Sequence, residues 1–125
     1  MNILPGWAAA LCSLVWLASC GPGDVGEASA LVEGDPVSGR RIIARLECGA
    51  CHAIPGVRPA RGRVGPTLHG FARRGYIAGQ FPNRPAVLVQ WIADAPRLDP
   101  RTAMPAFRLS ARETRDIASY LYTLR

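Results

Sequence analysis

This 125-residue chain is defined first by what it lacks. No second C-x-x-C and no H-x-x-x-H pair accompanies Cys48-Gly49-Ala50-Cys51, so the ligands of a structural zinc site are incomplete. No strand alternation surrounds that pair, which removes the βαβ setting a thioredoxin-like redox site needs. A structural disulfide between cysteines only three apart would be strained. Lysine is absent and all fifteen basic residues are arginines. No aromatic interleaving or binding motif accompanies them, which argues against nucleic acid as a partner. Histidine and methionine occur only twice each, so any metal site has few donors to choose from.

The N-terminal end is set apart by a further absence. Ile3 to Ser19 carries no charged side chain, and at 17 residues this stretch is marginal for a membrane span. It closes on Leu17-Ala18-Ser19-Cys20, which resembles the lipobox of bacterial lipoprotein signal peptides. Residues 1–19 are then a signal peptide and Cys20 is the lipidated residue of the mature chain. Met1-Asn2 lacks the positive charge that usually opens such a peptide, and an uncleaved helix anchor is the alternative. Both put the folded domain on the exported side of a bacterial membrane, the periplasmic side in a Gram-negative cell, tethered at its N-terminus. Residues 20–35 carry four acids, no base and four glycines, the composition of a flexible acidic linker. As a coil it would keep the domain within roughly 20–50 Å of the bilayer.

Residues 36–125 remain for one small domain, marginal for a self-sufficient core. Asp35-Pro36 reads as N-cap and first position of a helix, with Ile42, Ile43 and Leu46 at helical spacing and an expected end near Cys48. Gly39 lies on the Ile43 face, where it would let another helix approach closely. Residues 53–83, rich in Pro, Gly and Arg, read as loop with one helical turn at Leu68–Arg73. A second helix follows Asn83-Arg84-Pro85 and ends by Ala95-Pro96. Ser110-Ala111-Arg112-Glu113 is a capping box opening a third helix with Ile117, Tyr120, Leu121 and Leu124 on one face. With no strand pattern, the fold class is all-α, about three main helices.

Cys48-x-x-Cys51-His52 is the attachment sequence of a c-type haem. Two thiols at i and i+3 can add to the two vinyl groups of one porphyrin, and the adjacent imidazole can ligate the iron. One covalent haem c would also supply the apolar plate around which so short a chain can pack. For the sixth iron position the candidates are Met1, which leaves with the signal peptide, His69 and Met104. Met104 lies 52 residues after His52 in a helix-free segment, and Pro105 restricts its backbone to an extended form. Met104 is favoured over His69, which is expected at the surface.

These pieces occur in an order that resembles the small monohaem class I cytochromes c of bacteria. The matching residues are Gly39-x-x-x-Ile43, Cys48-x-x-Cys51-His52, Gly65-Pro66-Thr67-Leu68, Met104-Pro105 and Ile117-Ala118-Ser119-Tyr120-Leu121. The resemblance implies a class I cytochrome c fold in which the terminal helices cross at Gly39 against Tyr120. It implies that Pro66 packs on the imidazole and accepts the His52 Nδ1–H, and that Trp91 contacts a haem propionate, with Tyr76 a second candidate. Tyr76-Ile77-Ala78-Gly79 and Thr102-Ala103-Met104-Pro105 are similar to cytochrome c modules accompanying haem-copper oxidases.

With both axial positions filled, the expected function is one-electron transfer by a membrane-tethered monomer in a respiratory chain, feeding a terminal oxidase or reductase. Between Arg40 and Arg84 nine arginines face a single acid, Glu47, which favours a redox partner with an acidic docking surface. A permanently bound subunit of one oxidoreductase is the alternative. A haem-based ligand sensor is the third reading, though residues 96–107 offer only Asp99 and arginines for acid–base work.

Overall fold

A computed structural model describes residues 30–125 of the chain. The expected signal peptide at 1–19 and the lipidation site Cys20 lie outside the described residues. Helix α1 spans Pro36–Arg45, and the Asp35 carboxylate accepts the Val37 N–H at 2.9 Å as its N-cap. It stops short of the expected end at Cys48. Glu47 adopts the left-handed conformation at φ 56°, and a 3₁₀ turn over Cys48–Ala50 begins the haem motif on a new axis. Asparagine or glycine usually marks such a reversal, and glutamate gives no such signal in sequence.

The next stretch is mostly irregular, as expected, with a 3₁₀ turn at Phe71–Arg73. It also holds two strands that the sequence analysis did not anticipate. β1 (Tyr76–Ile77) pairs antiparallel with β2 (Phe81–Pro82). Two residues per strand are too few to show a period-2 pattern. The reversal comes from the left-handed pair Ala78 (φ 51°) and Gly79 (φ 73°), and the all-α class stands.

Helix α2 spans Pro85–Ala93, and a short α3, Ala95–Leu98, follows it directly. Asp94 closes α2 and accepts the Arg97 N–H at 3.2 Å as the N-cap of α3. α2 thus ends by Ala95-Pro96 as expected, and Pro96 also stands in the first turn of α3, where its missing N–H costs nothing. Helix α4, Ala111–Thr123, opens on the expected reciprocal capping box of Ser110 and Glu113.

The terminal helices α1 and α4 make the most extensive contact in the domain. They cross at Gly39, where a Cβ would lie 1.9 Å from the Asp116 carbonyl oxygen. Ile42, Ile43, Ile117, Ala118 and Leu121 are buried around this crossing. The Tyr120 hydroxyl donates to the Pro55 carbonyl and ties α4 to the loop after the haem motif.

The domain also begins earlier than the expected boundary at 36. Val32 is buried, a Cβ on Gly34 would lie 2.4 Å from the Arg115 carbonyl oxygen, and Asp35 N–H donates to Asp116 Oδ1 at 2.8 Å. Residues 32–35, assigned from composition to the linker, are a strap across α4.

Gly39→Ala is expected to cost about 3 kcal/mol or more, because backbone must move to admit the methyl group. Gly75→Ala, which meets nothing within 4 Å, should be near neutral; urea unfolding of both holoproteins checks the contrast. The Glu113 carboxylate is held down to about 2 by the Ser110 backbone N–H, then by Arg45 at 2.6 Å and the Ser110 hydroxyl. A depressed folded pKa stabilises fully above the ordinary value of 4.5 and is lost as pH falls toward 2. The melting-temperature gap between wild type and Glu113→Ala should therefore hold from pH 7 to about 5 and close between about 4.5 and 2.

Candidate functional site

The 3₁₀ turn is built by Ala50 N–H to Glu47 O at 2.9 Å and by Cys51 and His52 N–H to Cys48 O at 3.2 and 3.0 Å. It brings Cys48, Cys51 and His52 to the wall of one cavity of about 480 Å³. Neither cysteine is in a disulfide; Cys48 is half-buried and Cys51 exposed. Before any attachment, burial pushes the Cys48 thiol up against a backbone hydrogen bond that lowers it, with Cys51 adding to the rise.

The chain beneath the motif is packed backbone to backbone. A Cβ on Gly49 would lie 2.5 Å from Pro59 O, and one on Gly62 would lie 2.3 Å from the Cys51 carbonyl carbon. Gly62 N–H donates to Gly49 O at 3.0 Å and Gly65 N–H to Cys51 O at 2.8 Å. Gly65 lies against the imidazole itself, where a Cβ would be 2.3 Å from His52 Cε1. The roles of Gly49 and Gly62 were not foreseen. An adjacent Gly-Pro or a Gly inside C-x-x-C is a sequence cue to tight turning but does not name the surface it will meet.

His52 Nδ1 lies 2.7 Å from the Pro66 carbonyl oxygen. A carbonyl only accepts, so Nδ1 is the donor here, and in the neutral ring Nε2 is then the nitrogen whose lone pair can bind a metal. The hydrogen bond fixes both tautomer and ring orientation, as the outer partner of a metal-binding histidine does.

Met104, from the segment between α3 and α4, lines the same cavity, as do Pro66, Trp91 and Tyr76. Trp91 is buried with its ring 5.6 Å from that of Phe81, whereas Tyr76 is exposed at the rim. His69 is exposed and is not among the lining residues. The remaining wall is largely aliphatic, including Ile43, Leu88, Ile92, Ile117 and Leu121. Arg74, not singled out from sequence, lines it too. Its guanidinium donates to the Thr67 and His69 carbonyls and stands 5.8 Å from the Phe71 ring centroid. Among the described residues no three His, Cys, Asp or Glu side chains group to hold a metal unaided. The donor set suits one ligand: two thiols for attachment, an imidazole nitrogen and a thioether for iron, and apolar walls for a porphyrin plate.

A family model for cytochrome c matches residues 37–125. The chain belongs to the cytochrome c family. A comparison with curated proteins found no match. As a family member it has the class I all-α fold and binds one covalent haem c, and it is a haem-based electron-transfer protein with redox proteins as partners. Among the described residues of this cytochrome, no helix is long and apolar enough to cross a membrane.

Proposed function

We propose that this cytochrome is a membrane-tethered one-electron carrier whose axial iron ligands are His52 Nε2 and the Met104 thioether. The observation that carries the reading is that His52, its Nδ1 proton bound to Pro66, and Met104 line one apolar cavity with Cys48 and Cys51. Held through Cys48 and Cys51, the haem supplies a ferric–ferrous couple.

The protein's own residues then set the terms of exchange. The Pro66 carbonyl keeps the proton on Nδ1 and makes Nε2 a better donor. A thioether from Met104 favours the ferrous state and raises the potential relative to a second imidazole. Ile43, Leu88 and Leu121 exclude water, and Trp91 and Tyr76 are the candidates for holding the propionate edge. With both axial positions filled by protein, substrate has no open site, and little reorganisation accompanies each electron.

Docking belongs to the exposed surface around Cys51. Arg58, Arg61, Arg63 and Arg73 are all exposed and give a basic rim suited to a weak, transient encounter with an acidic partner. Partners of this kind include a terminal oxidase or reductase, a haem-copper oxidase among them. Exported and held by lipid on Cys20, the carrier would work at the periplasmic face of the membrane, linking a quinol-oxidising donor to that acceptor.

Met104→Ala should lower the midpoint potential by on the order of 100 mV and open the ferrous iron to carbon monoxide. An unchanged ferrous spectrum that still rejects carbon monoxide removes Met104 from the ligand set. A high-spin ferric spectrum in the wild type overturns the carrier reading itself. Electron transfer to an acidic redox protein should slow by about ten-fold or more between low and physiological ionic strength, measured by stopped flow.

A further inference from the structure

Two irregular segments meet at the mouth of the cavity. One is the β1 end and its turn, which contribute Tyr76, Ile77 and Ala78 to the lining; the other contributes Thr102, Ala103, Met104 and Pro105. The Met104 segment is not helical; its thioether packs against the apolar core, and its backbone is held by a few polar contacts. At its far end Phe107 N–H donates to Ala93 O at 3.2 Å. At its near end a single side chain, Asp99, gathers the bonds.

Asp99 Oδ2 accepts from Gln80 Nε2 at 2.7 Å, across from the β1–β2 turn. Its Oδ1 accepts the Arg101 backbone N–H at 3.0 Å and Arg101 Nε at 3.1 Å. The Asp99 carbonyl takes the Thr102 N–H at 3.0 Å, and Thr102 Oγ1 takes the Met104 N–H at 3.2 Å. Gln80 is anchored in turn by its own N–H to Ile77 O at 3.1 Å, and Ile77 is buried. A continuous path of hydrogen bonds thus runs from a core residue, across the cavity mouth, to the Met104 backbone. The Asp99 side chain is 15% exposed, while its partners Gln80 and Arg101 are exposed.

We propose that Asp99 and Gln80 form a clasp that holds the Met104 segment shut, keeping the thioether on the iron and foreign ligands off it. Asp99 and Gln80 are positioning residues; neither reaches the cofactor. The inference rests on Met104 being the axial ligand. Opening and ligand entry are linked. A foreign ligand binds only the form in which Met104 has left, so its apparent affinity scales with the population of that form. Imidazole reports it directly: the iron–sulfur bond breaks, an iron–nitrogen bond forms, and no electron moves.

The experiment is imidazole titration of the ferric holoprotein, read in the Met–iron charge-transfer band at the red end of the spectrum. Variants are Gln80→Ala, Asp99→Asn, Gln80→Glu and the double exchange Gln80→Glu/Asp99→Asn. Gln80→Ala and Asp99→Asn should each raise imidazole affinity about ten-fold, the loss of one hydrogen bond to a charged group. Gln80→Glu alone, which sets two carboxylates together, should do at least as much. The double exchange reverses donor and acceptor at unchanged charge and should return the affinity to within about two-fold of wild type. A general loss of packing would not be rescued in this way. Gln80 is exposed, so its alanine variant will fold even if an Asp99 variant does not. An intact wild-type band with Gln80→Ala binding imidazole as wild type does overturns the clasp alone. A wild-type spectrum with no Met–iron band overturns the ligation and the clasp with it.

Discussion

The close approach of α1 to α4 at Gly39 is the constraint from which the rest of the domain follows. With a Cβ there lying 1.9 Å from the Asp116 carbonyl, only glycine lets the helices reach this separation. That crossing fixes the placement of α1, beyond whose end left-handed Glu47 starts the Cys48–Ala50 turn. It also sets the face of α4 that carries Ile117 and Leu121 into the cavity wall. Asp116 and Ser119 on the same helix then receive residues 34 and 35, so the N-terminal strap is registered on the same contact. One missing side chain thereby couples the chain's entry into the domain to the placement of its haem motif.

The two sides of the cavity are held by different physics. On the His52 side the backbone itself is the packing material: Gly49, Gly62 and Gly65 allow chain segments to touch without intervening side chains. Gly65 lies against the imidazole on one side, and the Pro66 carbonyl holds its Nδ1. On the Met104 side no glycine-lined backbone contact is seen; the thioether packs on the apolar core, and short polar links from Asp99, Thr102 and Ala93 hold the backbone. Dense packing resists displacement at every atom, whereas each polar link yields when one bond is exchanged for water. On the proposed ligation, the thioether is therefore the ligand that leaves more readily.

Which parts were legible in the sequence follows from the range of the interactions that make them. The Ser110–Glu113 box and the Asp35-Pro36 start are satisfied within a few residues, so their signals are local and both helices begin where read. Cys48-x-x-Cys51-His52 is legible because its chemistry is set by spacing alone. The strap at 32–35 was not legible, because Leu31-Val32 shows no periodicity and the bond that seats the strap, Asp35 N–H to Asp116, joins residues about eighty apart. The second helix ends by Ala95-Pro96 as read, but the short α3 was not legible: proline is compatible with the first turn of a helix as well as with its end, and only the Asp94 cap starts a new one. Asp99 was visible as a charge but not as a hub, since its partner Gln80 lies on a turn created by two left-handed residues, one of them alanine.

The charge distribution completes the division. Arginines 58, 61, 63 and 73 stand exposed, while the acids that do structural work are engaged: Asp35 at the α1 cap, Asp94 at α3, Asp99 at the cavity mouth, Glu113 on Arg45, Asp116 under the strap. A hydrogen-bonded carboxylate keeps its charge, so the basic excess is set by composition, fifteen arginines against nine acids; the fold settles where that excess is displayed. Most of these acids stay partly exposed, tied to backbone N–H groups at helix starts and loop turns, while Arg58, Arg61, Arg63 and Arg73 stand exposed for an acidic partner to meet.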